Sequence, residues 1–286
     1  MNVLSLFDGM SCGQIALQRL GIKVDNYFAS EIDKYAIEVA KHNFPDMKHI
    51  GSVTEVNGKD LPKIDLLIGG SPCQGFSFAG KQLNFEDPRS KLFFEYVRLL
   101  KETTPNYFLL ENVKMKKQFQ DIISDALGVK PIEINSNLVS AQNRKRLYWT
   151  NIPGIGQPSD KGILNRDIVE DRDDYVFISE TKTVNRVYKT NYLQYDIFGK
   201  GNGSQDQRAY YLDGKHGCLD TGAGGKSKFL CEDKTVRKTT RKECERLQTV
   251  PDNYTNVVSE SQAKKMLGNG WTVDVIAHIF KNMQTI

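Results

Sequence analysis

The sequence predicts an α/β fold: a mostly parallel sheet flanked by helices, interrupted by a small, loop-rich β insert. Three observations predict it. Over roughly the first 150 residues, short apolar runs alternate with stretches of helical periodicity, the pattern of a parallel sheet covered on both faces. From about residue 154 that alternation gives way to segments rich in Gly, Asn, Asp, Lys and Tyr, and helix signals return only after Thr239. The chain has 286 residues, 39% hydrophobic and 26% charged, enough apolar material to bury a full core.

The elements follow in order. Strands are expected at 3–7, 27–31, 64–68, 107–110 and 147–150, each a short apolar run. Helices are expected at 13–20, 34–42, 91–102 and 118–126, where apolar residues recur at helical spacing. The insert carries short β-like pieces at 175–178 and 209–212, and glycine-rich loops at 199–204 and 222–226. Thr240 with Glu243 three residues later has capping-box spacing, and a last helix is expected at 273–283. The expected organisation is therefore an α/β domain at 1–153, an insert at 154–236, and helices at 237–286 that complete the first domain.

Composition excludes several classes. No run approaches the ~20 apolar residues of a membrane span, and the chain opens directly into a strand-like run without signal-peptide features, so a cytoplasmic protein is expected. Five cysteines (12, 73, 218, 231, 244) form no CxxC pair, and a chain this long needs no disulfide staples. With four scattered histidines, no metal site is expected. The net charge of +4 matters by its placement: residues 182–230 hold eight Lys or Arg against four Asp. Such a surplus suits a nucleic-acid surface as well as a solvated one.

In an open parallel sheet, ligands bind beyond the carboxyl ends of the strands, and the chemically capable residues fall there. The first strand runs into Phe7, Asp8, Gly9, Met10 and Ser11 before a helix, a turn where backbone amides can approach a ligand. The second ends in Glu31, followed by Ile32, where a carboxylate can bind ribose hydroxyls. The run Gly69-Gly70-Ser71-Pro72-Cys73-Gln74-Gly75 puts a thiol on a polar turn past a buried strand, suited to nucleophilic attack. Glu111-Asn112-Val113 brings a carboxyl group to the same edge. Gln142-Asn143-Arg144-Lys145-Arg146 brings two guanidinium groups spaced to share one face of an extended segment.

The ordered set FDG, SE, GGSPCQGFS, ENV, QNRKR and LGNGWTV resembles the DNA cytosine-5 methyltransferase family over almost the entire chain. Details such as SLFDG, ASE and SAQNRKRLYW are most similar to the de novo branch, while the length resembles a compact bacterial or phage enzyme. The resemblance implies a Rossmann-like methyltransferase sheet, S-adenosylmethionine as cofactor without a metal, and double-stranded DNA as partner; a monomer is expected, with a dimer left open. It implies that Cys73 adds to carbon 6 of cytosine and that Glu111 donates a proton to ring nitrogen 3. Arg144 would hold the base carbonyl and Arg146 support the thiolate. Residues 7–11, Glu31, Ile32, Ser52, Val53, Thr54, Pro72, Asn269, Gly270 and Trp271 are implied to hold the cofactor, with Ser52 standing where the family usually has Asp. The insert corresponds in position to the target-recognition region, so Lys81, Arg89, Lys200, Arg208, Lys226 and Lys228 are expected on DNA. One branch of the family acts on transfer RNA instead; the de novo-like details and Gln74 favour DNA.

Overall fold

The computed structural model describes residues 1–72, 88–171, 186–187, 192–194, 208–221, 228–230 and 236–284. The chain divides into two compact units, residues 1–135, 145–157 and 275–286 in one, and 136–144 and 158–274 in the other. The second unit thus takes in the 136–144 segment and most of the C-terminal region, in addition to the insert.

The first unit is built on a seven-stranded sheet. In chain order its strands are β1 (Asn2–Leu6), β2 (Asn26–Ser30), β3 (Lys48–His49), β4 (Leu66–Gly69), β5 (Tyr107–Val113), β6 (Ile132–Asn135) and β7 (Lys145–Thr150). Their spatial order is β3-β2-β1-β4-β5-β7-β6. All neighbouring pairs through β5 are parallel, whereas β7 runs antiparallel to both β5 and β6. The helices are α1 (Cys12–Arg19), α2 (Lys34–Asn43), α3 (Pro88–Thr103) and α4 (Lys117–Leu127).

All five expected strands and four expected helices of this region are present within a few residues. β3 and β6 are additions to that expectation. β3 has only two residues, and β6 (Ile-Glu-Ile-Asn) alternates apolar with polar as a half-covered strand does, in too short a run to stand out. The central strands are mostly apolar, and buried at nearly every position, because both faces are covered. Leu4, Leu6, Leu67, Phe93, Tyr96, Leu110 and Trp149 form the centre of their core, none more than 1% exposed.

The second unit contains a five-stranded sheet of order β12-β11-β10-β9-β8, made of β8 (Arg186–Val187), β9 (Tyr192–Gln194), β10 (Arg208–Tyr211), β11 (Lys228–Leu230) and β12 (Val236–Lys238). Its small core is Ala209, Leu230 and Val236 with Tyr211 packed against them. Helices α5 (Arg241–Leu247) and α6 (Glu260–Asn269) follow, and α7 (Val273–Phe280) carries the chain back into the first unit. The Thr240 capping box is formed: its hydroxyl accepts from the Glu243 amide at 3.2 Å, and Glu243 accepts from the Thr240 amide at 2.8 Å. The expected strand at 175–178 and the loops at 199–204 and 222–226 lie outside the described residues.

Candidate active site

Strand register fixes which side chains share the carboxyl edge of the sheet. Leu6 pairs with Ser30 on one side and Gly69 on the other, and Gly69 pairs with Leu110. The next residue of each strand therefore forms one row: Phe7, Glu31, Gly70 and Glu111. The strand order reverses between β1 and β4, which opens the crevice where such sheets bind nucleotides.

At the β1 end the backbone is unusual. Phe7 has φ 56°, Gly9 61° and Ser11 64°, so two non-glycine residues of five take the left-handed conformation. Such conformations cost of order 1–3 kcal/mol each and persist only where the surroundings enforce them. Here Asp8 supplies the enforcement. Its carboxylate accepts hydrogen bonds from the hydroxyls of Ser5 (2.5 Å), Tyr27 (2.8 Å) and Ser11. Its amide donates to the Ser30 carbonyl at 3.1 Å. Burial pushes the Asp8 carboxyl up to about 6, and the nearby Glu31 charge adds to the rise. Asp8 thus works inside the loop.

Glu31 braces the same loop from β2. One oxygen accepts from the Gly9 amide at 2.8 Å, and the other from the amides of Ile32 (2.7 Å) and Asp33 (2.9 Å). A carboxylate offers about four acceptor sites, which leaves one for a ligand hydroxyl. Beside it Ile32 is 78% exposed, an apolar surface with no protein packed on it. Across the edge, the Ser52 and Thr54 hydroxyls lie 2.8 Å apart, while Val53 packs into the core. Arg98 of α3 fixes this segment by donating to the carbonyls of Val53 (3.2 Å) and Val56 (2.9 Å).

Cys73 itself lies outside the described residues; Pro72, the residue before it, is described. The approach to it is anchored by a residue the motif reading leaves without a role. The buried Asn112 side chain donates to Ser71 Oγ at 3.2 Å and to the Ser71 carbonyl at 3.4 Å. This ties the end of β5 to the exit of β4. No spacing in the sequence signals that pairing, which follows only from β4 and β5 being neighbours.

Glu111, 8% exposed, meets Arg146 Nε at 3.0 Å. The antiparallel β5–β7 pairing sets Val113 opposite Arg146, so Glu111 and Arg146 are diagonal neighbours across the two strands. The two arginines expected to act together have different partners. Arg144 belongs to the second unit, 2% exposed, and its terminal nitrogens donate to the carbonyls of Leu219 (3.2 Å), Gly268 (3.1 Å) and Gly270 (2.8 Å). Arg144 therefore clamps the LGNG turn. Gly268 in that turn allows no side chain, since a Cβ would fall 2.1 Å from the Asp220 carbonyl oxygen. Asn269 is exposed, and Gly270 and Trp271 are half-buried.

The residues expected on DNA divide. Lys81, Lys200 and Lys226 lie outside the described residues. Arg89, expected on the loop after Cys73, is instead in the first turn of α3, which Pro88 opens with a pre-set helical φ. Arg208 is half-buried on β10. Lys228 lies on β11 and is only 2% exposed, so its ammonium group is not presented for a phosphate contact; β11 is buried at all three positions. Among the described residues no cluster of three His, Cys, Asp or Glu side chains could hold a metal ion, and no helix is long and apolar enough to cross a membrane.

Known proteins resemble this chain in sequence and in fold. A model of the C-5 cytosine-specific DNA methylase family matches residues 1–152 and 115–285. The type II methyltransferase M1.ScrFI of Lactococcus lactis subsp. cremoris is 34% identical over 99% of this chain and 77% of its own length. The type II methyltransferase M.HhaI of Haemophilus parahaemolyticus is 31% identical over 99% of this chain and 94% of its own. Among solved structures, the methyltransferase EhMeth of Entamoeba histolytica superposes with a TM-score of 0.77 over 100% of this chain and 99% of that one; at 17% identity this shows the shared fold.

Proposed function

Because the chain belongs to the C-5 cytosine-specific DNA methylase family, we propose that Cys73, Glu111 and Arg146 methylate carbon 5 of a cytosine flipped out of duplex DNA. The observation that carries this reading is the Glu111–Arg146 pair at 3.0 Å on the carboxyl edge, in the same row of the sheet as the strand that leads into Pro72 and Cys73.

Carbon 5 of cytosine is a poor nucleophile while the ring is conjugated. The Cys73 thiolate adds to carbon 6, forming a C–S bond and moving the ring electrons toward carbon 5 and ring nitrogen 3. The Glu111 carboxyl group delivers a proton at nitrogen 3 as charge develops there. The carbonyl oxygen next to nitrogen 3 needs a donor, and the two arginines differ in their fitness for it. Arg144 is buried, with its terminal nitrogens on backbone carbonyls, so the contact falls to Arg146, already seated beside Glu111. Arg144 braces the turn that holds Gly268 and Gly270. Loss of the proton on carbon 5 to solvent, departure of the Cys73 sulfur as thiolate and return of the nitrogen 3 proton to Glu111 restore both the aromatic ring and the enzyme.

S-adenosylmethionine, when bound, supplies the methyl group. The β1–β2 edge fits it: Glu31 has one acceptor site left for a ribose hydroxyl, and the exposed Ile32 offers an apolar face to adenine. The rigid turn at residues 7–11, held by Asp8, presents backbone to the remainder. By their motifs Ser52, Thr54, Pro72 and Asn269–Trp271 contribute further contacts. Arg208, Lys200 and Lys226 of the insert supply phosphate contacts, and Lys81, in the segment after Cys73, contributes a contact beside the flipped base.

Duplex DNA carrying 5-fluorocytosine tests the reading, because fluorine at carbon 5 blocks the final elimination and traps the adduct. Denaturation-resistant protein–DNA complex with the wild type and none with Cys73→Ala is the expected result. Equal complex from both proteins would remove Cys73 from the mechanism.

A further inference from the structure

The carboxyl edge of the first unit is divided by charge. On the β1–β2 side, residues 7–11 and 31–34 carry Asp8, Glu31 and Asp33 against Lys34 alone. On the β5–β7 side the balance reverses. Lys114, Lys116 and Lys117 follow β5 directly, and Lys145 and Arg146 open β7. Because Val113 pairs with Arg146, the antiparallel register continues with Lys114 beside Lys145. Both ammonium groups reach the same carboxylate, Glu133, at 2.8 Å and 3.9 Å. Their side chains are 56% and 59% exposed, and that of Lys117, paired with Asp121, is 79% exposed. Lys116 is exposed and has no acidic partner among the described residues. Counting Glu111, Glu133 and Asp121 against them, five cations face three carboxylates, one of which is the proposed catalytic acid.

We propose that Lys114, Lys116, Lys117 and Lys145 form a phosphate-contact surface on the first unit, which holds the backbone of the DNA strand whose cytosine enters the Glu111–Arg146 site. This rests on the DNA reading above and names a contact surface separate from the basic insert. The location follows from covalent connectivity. A flipped nucleotide stays joined to its own two phosphates, so the backbone passes within a nucleotide's length of the pair that grips the base. Phosphates recur every ~3.4 Å along each strand axis, so several lie within reach of lysines clustered beside that pair. The exposed bonds from Lys114 and Lys145 to Glu133 hold these side chains only weakly, since such pairs are worth about 0–1 kcal/mol. Exchange of Glu133 for phosphate is then nearly free. Lysines act here as point charges and read no base, so the surface adds affinity and register without sequence preference.

The test compares two triple variants of the whole protein. One neutralises the patch (Lys114→Gln, Lys116→Gln, Lys145→Gln). The other neutralises three exposed lysines that precede β2, β4 and β6 at the opposite edge (Lys23→Gln, Lys63→Gln, Lys130→Gln), with identical change in net charge. Binding to a fixed duplex is measured at several salt concentrations, beside direct binding of S-adenosylmethionine and thermal midpoints. The patch variant is expected to weaken DNA binding about tenfold or more near 0.1 M salt, and to flatten log Kd against log salt by about 2–3 contacts' worth. Its cofactor affinity and thermal midpoint stay at wild-type values, and the opposite-edge variant binds DNA as wild type does. Equal affinity and slope in the two variants would overturn the proposal. If wild-type protein methylates duplex DNA and the patch is silent, only this inference fails; if wild type neither binds nor methylates duplex DNA, the reading beneath it fails.

Discussion

Replacing Asp8 by asparagine tests how the cofactor loop is held, and the structure sets the size of the effect. Burial raises the Asp8 carboxyl from its ordinary 3.8 to about 6, against the opposing hydrogen bonds from Ser11, Ser5 and Tyr27. Between those values the folded protein keeps a proton that the unfolded chain has released. Stability contributed by the protonated group is therefore complete below the unfolded value and is lost as pH rises through the folded one. At ~1.4 kcal/mol per pH unit the rise corresponds to about 3 kcal/mol lost by neutral pH. The asparagine side chain has nearly the same shape and no titration, and the remaining carboxyl groups cancel when the two proteins are compared. Urea unfolding of both proteins at a series of pH values from about 4 to 7 should show wild-type stability, relative to Asp8→Asn, falling by about 2–3 kcal/mol, most steeply between the two pKa values. A difference that stays constant over that range would refute the buried, raised carboxyl and with it the reading of Asp8 as an internal brace.

Three further substitutions probe other parts of the framework. Glu243→Gln breaks a buried pair with Arg237, 0% and 3% exposed and joined at 2.8 Å and 2.9 Å; leaving Arg237 without its carboxylate should cost about 3–5 kcal/mol in chemical unfolding. Gly268→Ala drives a Cβ to 2.1 Å from the Asp220 carbonyl oxygen, so the turn clamped by Arg144 must shift at about 1–3 kcal/mol, visible as a lower thermal midpoint. Asn112→Ala leaves the Ser71 hydroxyl and carbonyl without their donor; stability should fall by about 1–3 kcal/mol, and trapping on 5-fluorocytosine DNA should slow while cofactor affinity holds.

Much of the fold is legible in the sequence because its signals are local. The central strands are mostly apolar runs, and the Thr240–Glu243 capping box is a three-residue pattern that the structure reproduces. What stays hidden depends on partners distant in sequence. The antiparallel insertion of β7 between β5 and β6 leaves no mark in either strand, yet it is what seats Arg146 beside Glu111. Arg144 and Arg146, two residues apart, are expected from spacing to act on one face. The chain crosses from one unit to the other between Arg144 and Lys145, which gives the two side chains different surroundings. Asn112 reads as the middle of a motif and takes on a role only through Ser71, 41 residues earlier. Lys228 shows the weakness of charge counting: a basic residue in a polar-looking segment lies at 2% exposure within a sheet.

The central claim is methyl transfer to carbon 5 of cytosine in duplex DNA. Its most direct test incubates wild-type protein and Cys73→Ala with methyl-labelled S-adenosylmethionine and mixed-sequence duplex DNA, with transfer RNA in parallel, and locates the label by base analysis and sequencing. The predicted result is 5-methylcytosine in duplex DNA from the wild type alone. Label confined to transfer RNA, or label on DNA that persists without the Cys73 thiol, would contradict it.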